Sequence, residues 1–230
     1  MSDLVTVLQT QPLFQALDPA VLTMLLQPHR RCSYGAGQSV VMQHDWGEGY
    51  YLILSGLAKV SVFSSSGDEV VLGALGSGEV FGELRALGFE TRSADVTALT
   101  TLEVVHLQSS LLTRALEQQG ALALAMARLQ SRRLLETNRR MMFRAEPAGS
   151  RLLESLYCLG CKAGTRVEAQ QWLLVPPVPV GVLGSLAGLA RETASRELTR
   201  LEKKQSLCRA QEPWQVSLKA LERVNLPVAT

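Results

Sequence analysis

The sequence has 230 residues, of which 47% are hydrophobic and 19% are charged. This composition excludes a disordered chain, and the length allows two domains. The longest nearly apolar stretch, residues 178–190, contains three glycines and a proline and is shorter than the roughly 20 residues that a membrane helix needs. The N-terminus has no basic run ahead of an apolar segment, so we expect no export signal and a cytoplasmic protein.

Charge is distributed unevenly along the chain. Up to Phe143 there are 11 basic and 13 acidic residues, a net charge of −2, whereas from Arg144 onward there are 12 basic and 8 acidic residues, a net charge of +4. A basic C-terminal part favours binding to the phosphate backbone of nucleic acids, although a net charge of this size does not establish it alone.

The cysteines do not form a disulfide framework, because the chain has only four, at positions 32, 158, 161 and 208. Cys158 and Cys161 form a C-x-x-C pair, which binds a metal only where two further ligands converge on it. All three histidines lie in the other half of the chain. We therefore predict apolar helix positions for this pair rather than a metal or redox site.

The first predicted elements are a short helix and a set of strands. Apolar residues behind Asp18 predict a helix over residues 18–27 with Asp18 as its N-cap. From Tyr34 to Leu107 the sequence changes to short alternating or β-branched runs separated by glycine-bearing turns. Strands spaced roughly 8–12 residues apart indicate an all-β sandwich or barrel.

Helix formers dominate residues 109–143, which contain one glycine, Gly120, and no proline. We therefore predict two helices that meet near Gly120. On the second helix, a seam with steps of three and four residues consists of Leu124, Ala127, Ser131, Leu134, Asn138 and Met141. This pattern predicts a parallel coiled coil with a second copy of the chain, in which Asn138 fixes the register. The alternative is that the same face packs against the chain's own β-domain.

Residues 144–150, with Pro147 and Gly149, predict a hinge before a C-terminal domain. This domain is predicted to open with an amphipathic helix over 150–159 and to continue through an extended segment over 170–177. A short helix from Pro179, a turn at Gly188 and a longer helix from Arg191 to Lys204 then predict a helix-turn-helix. The residues from Gln205 onward predict two short strands, a wing suited to phosphate contacts.

The longer helix of this pair has one apolar and one polar side. The predicted core shared by the two helices consists of Leu183, Leu186, Ala187, Ala194, Leu198 and Leu201. The polar side consists of Arg191, Glu192, Ser195, Arg196 and Thr199. Arginine suits guanine and glutamate suits the cytosine amino group, so this side predicts contacts with base edges in DNA. The alternative is a solvated helix whose charges only pair with one another along the helix.

Two motifs resemble those of the cyclic AMP receptor protein / FNR family of transcription regulators. The first is GEVFGEL at residues 78–84, followed by Arg92-Ser93-Ala94, which is similar to the family's phosphate-binding cassette. The second is ARETASR at residues 190–196, which is similar to its recognition helix. The resemblance extends along nearly the whole chain, and the two motifs in this order and separation are highly specific.

The resemblance implies roles for residues of the first motif. Glu83 is implied to accept a hydrogen bond from a ribose 2′-hydroxyl, and Arg92, with Ser93 and nearby backbone amides, to hold a cyclic phosphate. A guanidinium suits this role because it offers paired donors to phosphate oxygens. The alternative is a mutual ion pair of Glu83 with Arg92 that closes an empty β-roll. The other cassette residues of the implied effector site are Gly82, Leu84 and Ala94.

In the second motif, Arg191, Glu192 and Arg196 correspond to the family's base-reading residues, which implies a half-site similar to TGTGA. Thr193 and Ser195 belong to the same implied DNA-binding surface.

The sequence also departs from the family pattern. Leu134 and Leu135 stand at the positions matched to the threonine and serine that read adenine in the cyclic AMP receptor protein. Leucine packs against a purine but forms no hydrogen bond with its amino group, which leaves open a weak affinity, another base or another ligand. Residues 176–181 lack the polar and basic residues usual there for phosphate contact. The cysteine cluster of the FNR branch is absent, and no residue suggests a haem ligand.

We therefore predict an α+β protein with three parts: an N-terminal effector-binding β-roll similar to the cyclic-nucleotide-binding jelly roll (1–108), dimerisation helices (109–143) and a C-terminal winged helix-turn-helix (144–230). The expected function is a homodimeric transcription regulator that binds palindromic double-stranded DNA under the control of a cyclic nucleotide such as cyclic AMP. No tightly bound cofactor and no membrane partner are expected, and a contact with RNA polymerase is left open.

Two alternatives follow from the same residues. One is a ligand-independent DNA-binding regulator with a degenerate effector pocket. The other is a cyclic-nucleotide-binding module whose C-terminal domain contacts protein. An enzyme is not expected, because the sequence shows no pairing of a nucleophile with a base and no set of metal ligands.

Overall fold

The computed structural model describes residues 2–163, 166–167 and 171–227. Residues 164–165, 168–170 and 228–230 of the predicted C-terminal domain lie outside the described part, including Gln170, the first residue of the predicted extended segment. The chain divides into two compact units. The first consists of residues 1–60 and 75–135, and the second of residues 61–74 and 136–230.

Two helices precede the strands: α1 (Ser2–Gln9) and α2 (Pro19–Leu25). Asp18 is the N-cap of α2, as predicted, and its Oδ1 accepts a hydrogen bond from the Ala20 amide at 2.7 Å. The strands that follow are β1 (His29–Tyr34), β2 (Ser39–Val41), β3 (Tyr50–Ser55), β4 (Ala58–Phe63), β5 (Glu69–Leu75), β6 (Val80–Phe81), β7 (Asp95–Ala98) and β8 (Leu102–Leu107).

These strands form two sheets, with the orders β1-β8-β3-β6 and β2-β7-β4-β5. Side chains alternate between the two faces of β3. Tyr51 and Ile53 belong to a core that also contains Val96 of β7 in the other sheet. Tyr50 and Leu52 belong to a second core, which includes residues of the flanking helices. The first sheet is therefore apolar on both faces, one toward the second sheet and one toward the helices.

Two more helices follow the strands, α3 (Ser109–Gln118) and α4 (Gly120–Phe143), and they meet at Gly120 as predicted. Leu122 and Met126 of α4 are buried in the core shared with the first sheet. The side chains of the predicted seam are all exposed in the single chain. The alternative that the seam packs against the chain's own β-domain is therefore wrong, because another face of α4 makes that contact.

The remaining elements are α5 (Ala148–Ala163), β9 (Arg166–Val167), β10 (Trp172–Val175), α6 (Val180–Ala187), α7 (Arg191–Lys203), β11 (Leu207–Cys208), β12 (Trp214–Ser217) and α8 (Leu218–Glu222). The four strands form one sheet in the order β11-β12-β10-β9. The predicted hinge is too long, since Gly149 lies in the first turn of α5. Helix α5 extends beyond the predicted 150–159 because much of its length is buried. The predicted shared core of α6 and α7 is buried at all six positions.

Cys158 is buried in α5, and burial raises the pKa of its thiol to about 12, so it stays protonated. Cys161 of the same helix is exposed. Among the described residues, no three histidine, cysteine or acidic side chains converge as metal ligands. None of the helices in the described ranges is long and apolar enough to cross a bilayer.

Candidate effector site and nucleic-acid interface

The candidate effector site is built around the side chain of Arg92. Gly82 follows β6 and has a φ of +78°, and a Cβ atom there would collide with Nη1 of Arg92. A Cβ atom on Gly47 would lie 2.6 Å from Nη2. The left-handed φ favours glycine at Gly82, and a side chain at Gly47 would displace the guanidinium of Arg92.

Arg92 is a buried cation that forms no direct ion pair with a carboxylate within the described part of the chain. The residue is 7% exposed, and Nη1 donates a hydrogen bond to the Gly82 carbonyl at 3.1 Å. Burial lowers the pKa of the guanidinium, and the nearby Arg85 acts in the same direction. Tyr51, Glu83 and Asp45 oppose both effects. A guanidinium in this setting favours the binding of an anion.

Aromatic rings form a further wall of this site, and the predicted site residues did not include them. The Tyr51 ring lies 5.9 Å below the guanidinium carbon of Arg92. Its other ring neighbours are Phe81, stacked at 4.8 Å, and His106, tilted at 4.8 Å. The alternation of β3 places Tyr51 inward, which was the signal available in the sequence.

Glu83 is 2% exposed and is held by α4. Its Oε1 accepts hydrogen bonds from Nε2 of Gln130 at 2.8 Å and from Nη1 of Arg133 at 2.7 Å. Arg133 also donates to the Val80 carbonyl. The alternative of a mutual ion pair between Glu83 and Arg92 is therefore wrong. Within the described ranges no hydrogen bond reaches Oε2 of Glu83, so this oxygen is the one available to a hydroxyl group.

The other cassette residues are neighbours of Glu83 and Arg92 in the sequence, and they differ in how far their side chains are buried. Ala94 is buried, Leu84 is half-buried and Ser93 is exposed. The structure does not bring Leu134 and Leu135 to the cassette, since their side chains are 61% and 67% exposed. Gln130 and Arg133 occupy the face of α4 that reaches Glu83. Neither of these two residues was predicted to do so.

The polar side of α7 forms a shallow surface hollow lined by Arg191, Glu192, Ser195 and Arg196. Thr193 is half-buried beside it and accepts a hydrogen bond from Arg196 Nη2 at 3.4 Å.

The predicted alternative for this helix was a set of charges paired along it. One such pair forms, Arg200 with Glu197 at 3.5 Å, but in the described residues Glu192 and Arg196 are not joined. Apart from the contact of Arg196 with Thr193, the side chains that line the hollow keep their donors and acceptors for an external partner within the described residues.

The turn between α6 and α7 is held by a side chain of α5. Gly188 has a φ of +61° and caps α6 in the left-handed conformation. Its carbonyl accepts a hydrogen bond from Arg151 Nη2 at 2.6 Å, and the same guanidinium donates from Nη1 to the Arg144 carbonyl at 3.2 Å. Arg151 thus anchors the turn to α5, a role that no sequence motif indicated.

Comparisons with known proteins agree with this geometry. The family of cyclic nucleotide-binding domains matches residues 31–119. The cyclic AMP receptor protein of Thermus thermophilus is 30% identical over 191 residues, which cover 83% of this chain and 85% of that protein. The structure of FixK2 from Bradyrhizobium japonicum matches with a TM-score of 0.73 and 18% identity, covering 88% of this chain and 99% of that one.

A second solved structure has a similar fold. It is CLP, the c-di-GMP-responsive global regulator of Xanthomonas campestris, with a TM-score of 0.68 and 24% identity over 87% of this chain and 99% of that one. The shared architecture is a β-sheet domain of the cyclic-nucleotide-binding kind combined with helices. The chain belongs to the cyclic AMP receptor protein / FNR family of transcription regulators.

Proposed function

We propose that the protein is a cytoplasmic, homodimeric regulator that binds specific DNA sequences and is controlled by a cyclic nucleotide in the β-roll. The observation that carries this proposal is the buried guanidinium of Arg92, which has no direct ion pair, near the buried carboxylate of Glu83. A cyclic nucleotide supplies the two groups that these side chains lack, an anionic phosphate and a hydroxyl donor.

The phosphate would accept hydrogen bonds from Arg92, with Ser93 and the backbone around Gly82, Leu84 and Ala94 nearby. The ribose 2′-hydroxyl would donate to Oε2 of Glu83. Cyclic AMP is the first candidate because the relative from Thermus thermophilus is named for it. We assign the base to Leu134 and Leu135 of a paired α4, where it would meet apolar surface.

For the DNA-binding part we propose that α6, the turn at Gly188, α7 and the β11–β12 hairpin form a winged helix-turn-helix. Arg191, Glu192 and Arg196 would read the base edges of a half-site similar to TGTGA, since these side chains line the exposed hollow of α7. Thr193 and Ser195 would support them. A role in binding rather than catalysis agrees with relatives that are named as transcription regulators.

The exposed seam of α4 supports a homodimer. Two-fold pairing of the long helices would place two reading helices about 34 Å apart, on a palindromic site. In this proposal residues 1–108 bind the effector, 109–143 dimerise and 144–230 bind DNA. Control requires the effector to bind two states of the dimer with different affinities.

Titration calorimetry with cyclic AMP and cyclic GMP tests the effector site. Binding with a dissociation constant of about 1 μM or less, abolished by Arg92→Ala, is the expected result. Arg114→Ala is the matched control, because this exposed arginine of α3 lies outside the cassette and should leave binding unchanged. No heat with either nucleotide, in a folded and dimeric sample, would exclude cyclic-nucleotide control.

The second candidate is a ligand-independent regulator. One observation favours it: Oε1 of Glu83 already accepts hydrogen bonds from Gln130 and Arg133, so the carboxylate is partly satisfied without an effector. This candidate predicts sequence-specific DNA binding by the purified protein with no response to either nucleotide.

A further inference from the structure

A cleft that belongs to neither functional surface lies between the turn that joins α1 to α2, the turn before β6, and α4. Its volume is about 250 Å³, enough for roughly eight water molecules at the volume each takes in the liquid. It is lined by Gln11, Pro12, Leu13, Gln15, Ser77, Gly78, Glu79, Ala125, Arg128, Leu129 and Arg132. We call it the arginine cleft.

The walls of the arginine cleft are held in place by hydrogen bonds. On one side, the Gln11 carbonyl accepts the amides of Phe14 and Gln15, both at 2.9 Å. On the other side, Ser77 Oγ donates to the Leu54 carbonyl at 2.8 Å. Gly78 touches Gln11 so closely that a Cβ atom would collide with its amide. The cleft is therefore a preformed feature of the fold.

Two cations line the cleft, Arg128 and Arg132. They stand four residues apart on α4, so their side chains lie on the same face of the helix. In the described part of the chain neither arginine forms an ion pair or a side-chain hydrogen bond. The amide groups of Gln11 and Gln15 add neutral donors. Glu79 also lines the cleft, and its Oε2 accepts a hydrogen bond from the Gly76 amide at 2.8 Å. Such a set suits a phosphate group, which accepts bonds from two guanidinium forks at once.

The cleft is separate from the two other surfaces of α4. None of its residues on this helix belongs to the predicted seam, although Arg128 directly follows the seam residue Ala127. Neither Glu83 nor Arg92 lines it. We propose that the arginine cleft is a second ligand site, for a small molecule that carries a phosphate or diphosphate group.

Inorganic pyrophosphate is the probe, titrated by calorimetry at low ionic strength. The parent protein for the test is the full chain with Arg92→Gln, so that the proposed effector site does not contribute. This parent is expected to bind one pyrophosphate per chain in the cleft. Adding Arg128→Gln and Arg132→Gln together should weaken that binding by at least about tenfold, because hydrogen bonds to charged groups are lost.

Two further variants separate a cleft from general charge attraction. Gln15→Trp fills the cleft and keeps both arginines, and it should also weaken binding by about tenfold or more. The control pair Arg114→Gln and Arg223→Gln removes the same charge from exposed sites elsewhere and should leave the affinity unchanged. The variants should stay folded, because every substituted side chain is exposed: Arg128 and Arg132 in the cleft, Arg114 and Arg223 in the control pair, and Gln15.

Three outcomes would overturn the proposal: no saturable binding to the parent, unchanged affinity after removal of Arg128 and Arg132 or after Gln15→Trp, or an equal loss in the control pair. Because the parent lacks Arg92, none of these outcomes depends on whether the β-roll binds a cyclic nucleotide.

Discussion

Arg133 donates a hydrogen bond from Nη1 to Oε1 of Glu83 across 2.7 Å. The bond joins the middle of α4 to the turn that follows β6, which is the turn that also borders Arg92. Glu83 and α4 are therefore in direct contact. The ion pair provides a physical route from an effector in the β-roll to the helix that we propose pairs the two chains.

Replacing Arg133 by methionine should lower the free energy of unfolding by about 2 kcal/mol. Removal of one partner of a buried ion pair costs more than this, but Arg133 is partly exposed and Gln130 still donates to Glu83. Urea denaturation measures the change. The control is Arg132→Met. Arg132 precedes Arg133 in the chain, is exposed, and forms no ion pair in the described residues. Equal losses in the two variants would show that the contact with Glu83 contributes nothing.

The pH dependence of stability should change when Glu154 is replaced by glutamine. Burial raises the pKa of this carboxyl above its ordinary value of 4.5, although Arg139 opposes the shift through a hydrogen bond at 3.2 Å. Between 4.5 and the raised pKa, the folded state binds more protons than the unfolded state, so stability falls as the pH rises through this window.

The native protein should therefore lose stability relative to Glu154→Gln as the pH rises from 4.5 toward neutrality. Denaturant melts at a series of pH values measure the difference. Glu146→Gln, which replaces an exposed glutamate nearby, is the control for the loss of a carboxylate. A constant difference between the native protein and Glu154→Gln would contradict the shifted pKa.

Gly188→Ala should lower the free energy of unfolding by about 1–2 kcal/mol, since φ is +61° and an added Cβ would also approach the guanidinium of Arg144 at 3.1 Å. Asparagine tolerates this conformation better, so Gly188→Asn should cost less. Gly181→Ala, with open space around its Cβ, should instead stabilise α6 slightly. Thermal denaturation of the three variants checks this order, and a loss in Gly181→Ala equal to that in Gly188→Ala would refute it.

The sequence was sufficient to predict most of the regular structure. The predicted strands from the runs at residues 39–107 correspond to β2, β3, β4, β5, β7 and β8, and the helices of residues 109–143 end where expected. β1 was missed because most of its residues are polar and its alternation is weak, as in Arg30, Arg31 and Ser33. β6 was missed because it has only two residues, too few to show a period.

The candidate site was harder to predict, because its contacts join residues far apart in sequence. The motif led to Glu83 and Arg92, but the partner of Glu83 lies 50 residues later, at Arg133. Several arginines lie on α4, and local sequence does not show which one reaches a carboxylate. The burial of Leu122 and Met126 decides which face of α4 meets the β-roll.

DNA binding should depend on individual side chains of α7. Arg191→Ala and Arg196→Ala should each weaken binding to a palindromic duplex with TGTGA half-sites by about 1–3 kcal/mol, and should reduce discrimination against altered half-sites. Fluorescence anisotropy at fixed salt concentration measures both effects. Arg223→Ala, an exposed arginine outside the hollow, is the control. Unchanged affinity in the α7 variants would favour a C-terminal domain that contacts protein.

The exposed seam of α4 should hold the dimer together. Leu134 is 61% exposed in the single chain, and Leu124 and Met141 of the same seam are also exposed. Pairing of two chains would bury two Leu134 side chains, one from each chain. Leu134→Asp should therefore weaken dimerisation by about 3 kcal/mol or more, because two leucines are lost and two carboxylates approach each other.

Sedimentation equilibrium should then show a shift from dimer to monomer for Leu134→Asp at micromolar concentration. Phe89→Asp is the control, since Phe89 is an equally exposed apolar residue outside α4. A dimer that survives Leu134→Asp, or one that Phe89→Asp dissociates equally, would place the interface elsewhere. The same samples link dimerisation to DNA binding, because a monomer has one reading helix and should lose most of its affinity for the palindrome while still binding a single half-site weakly.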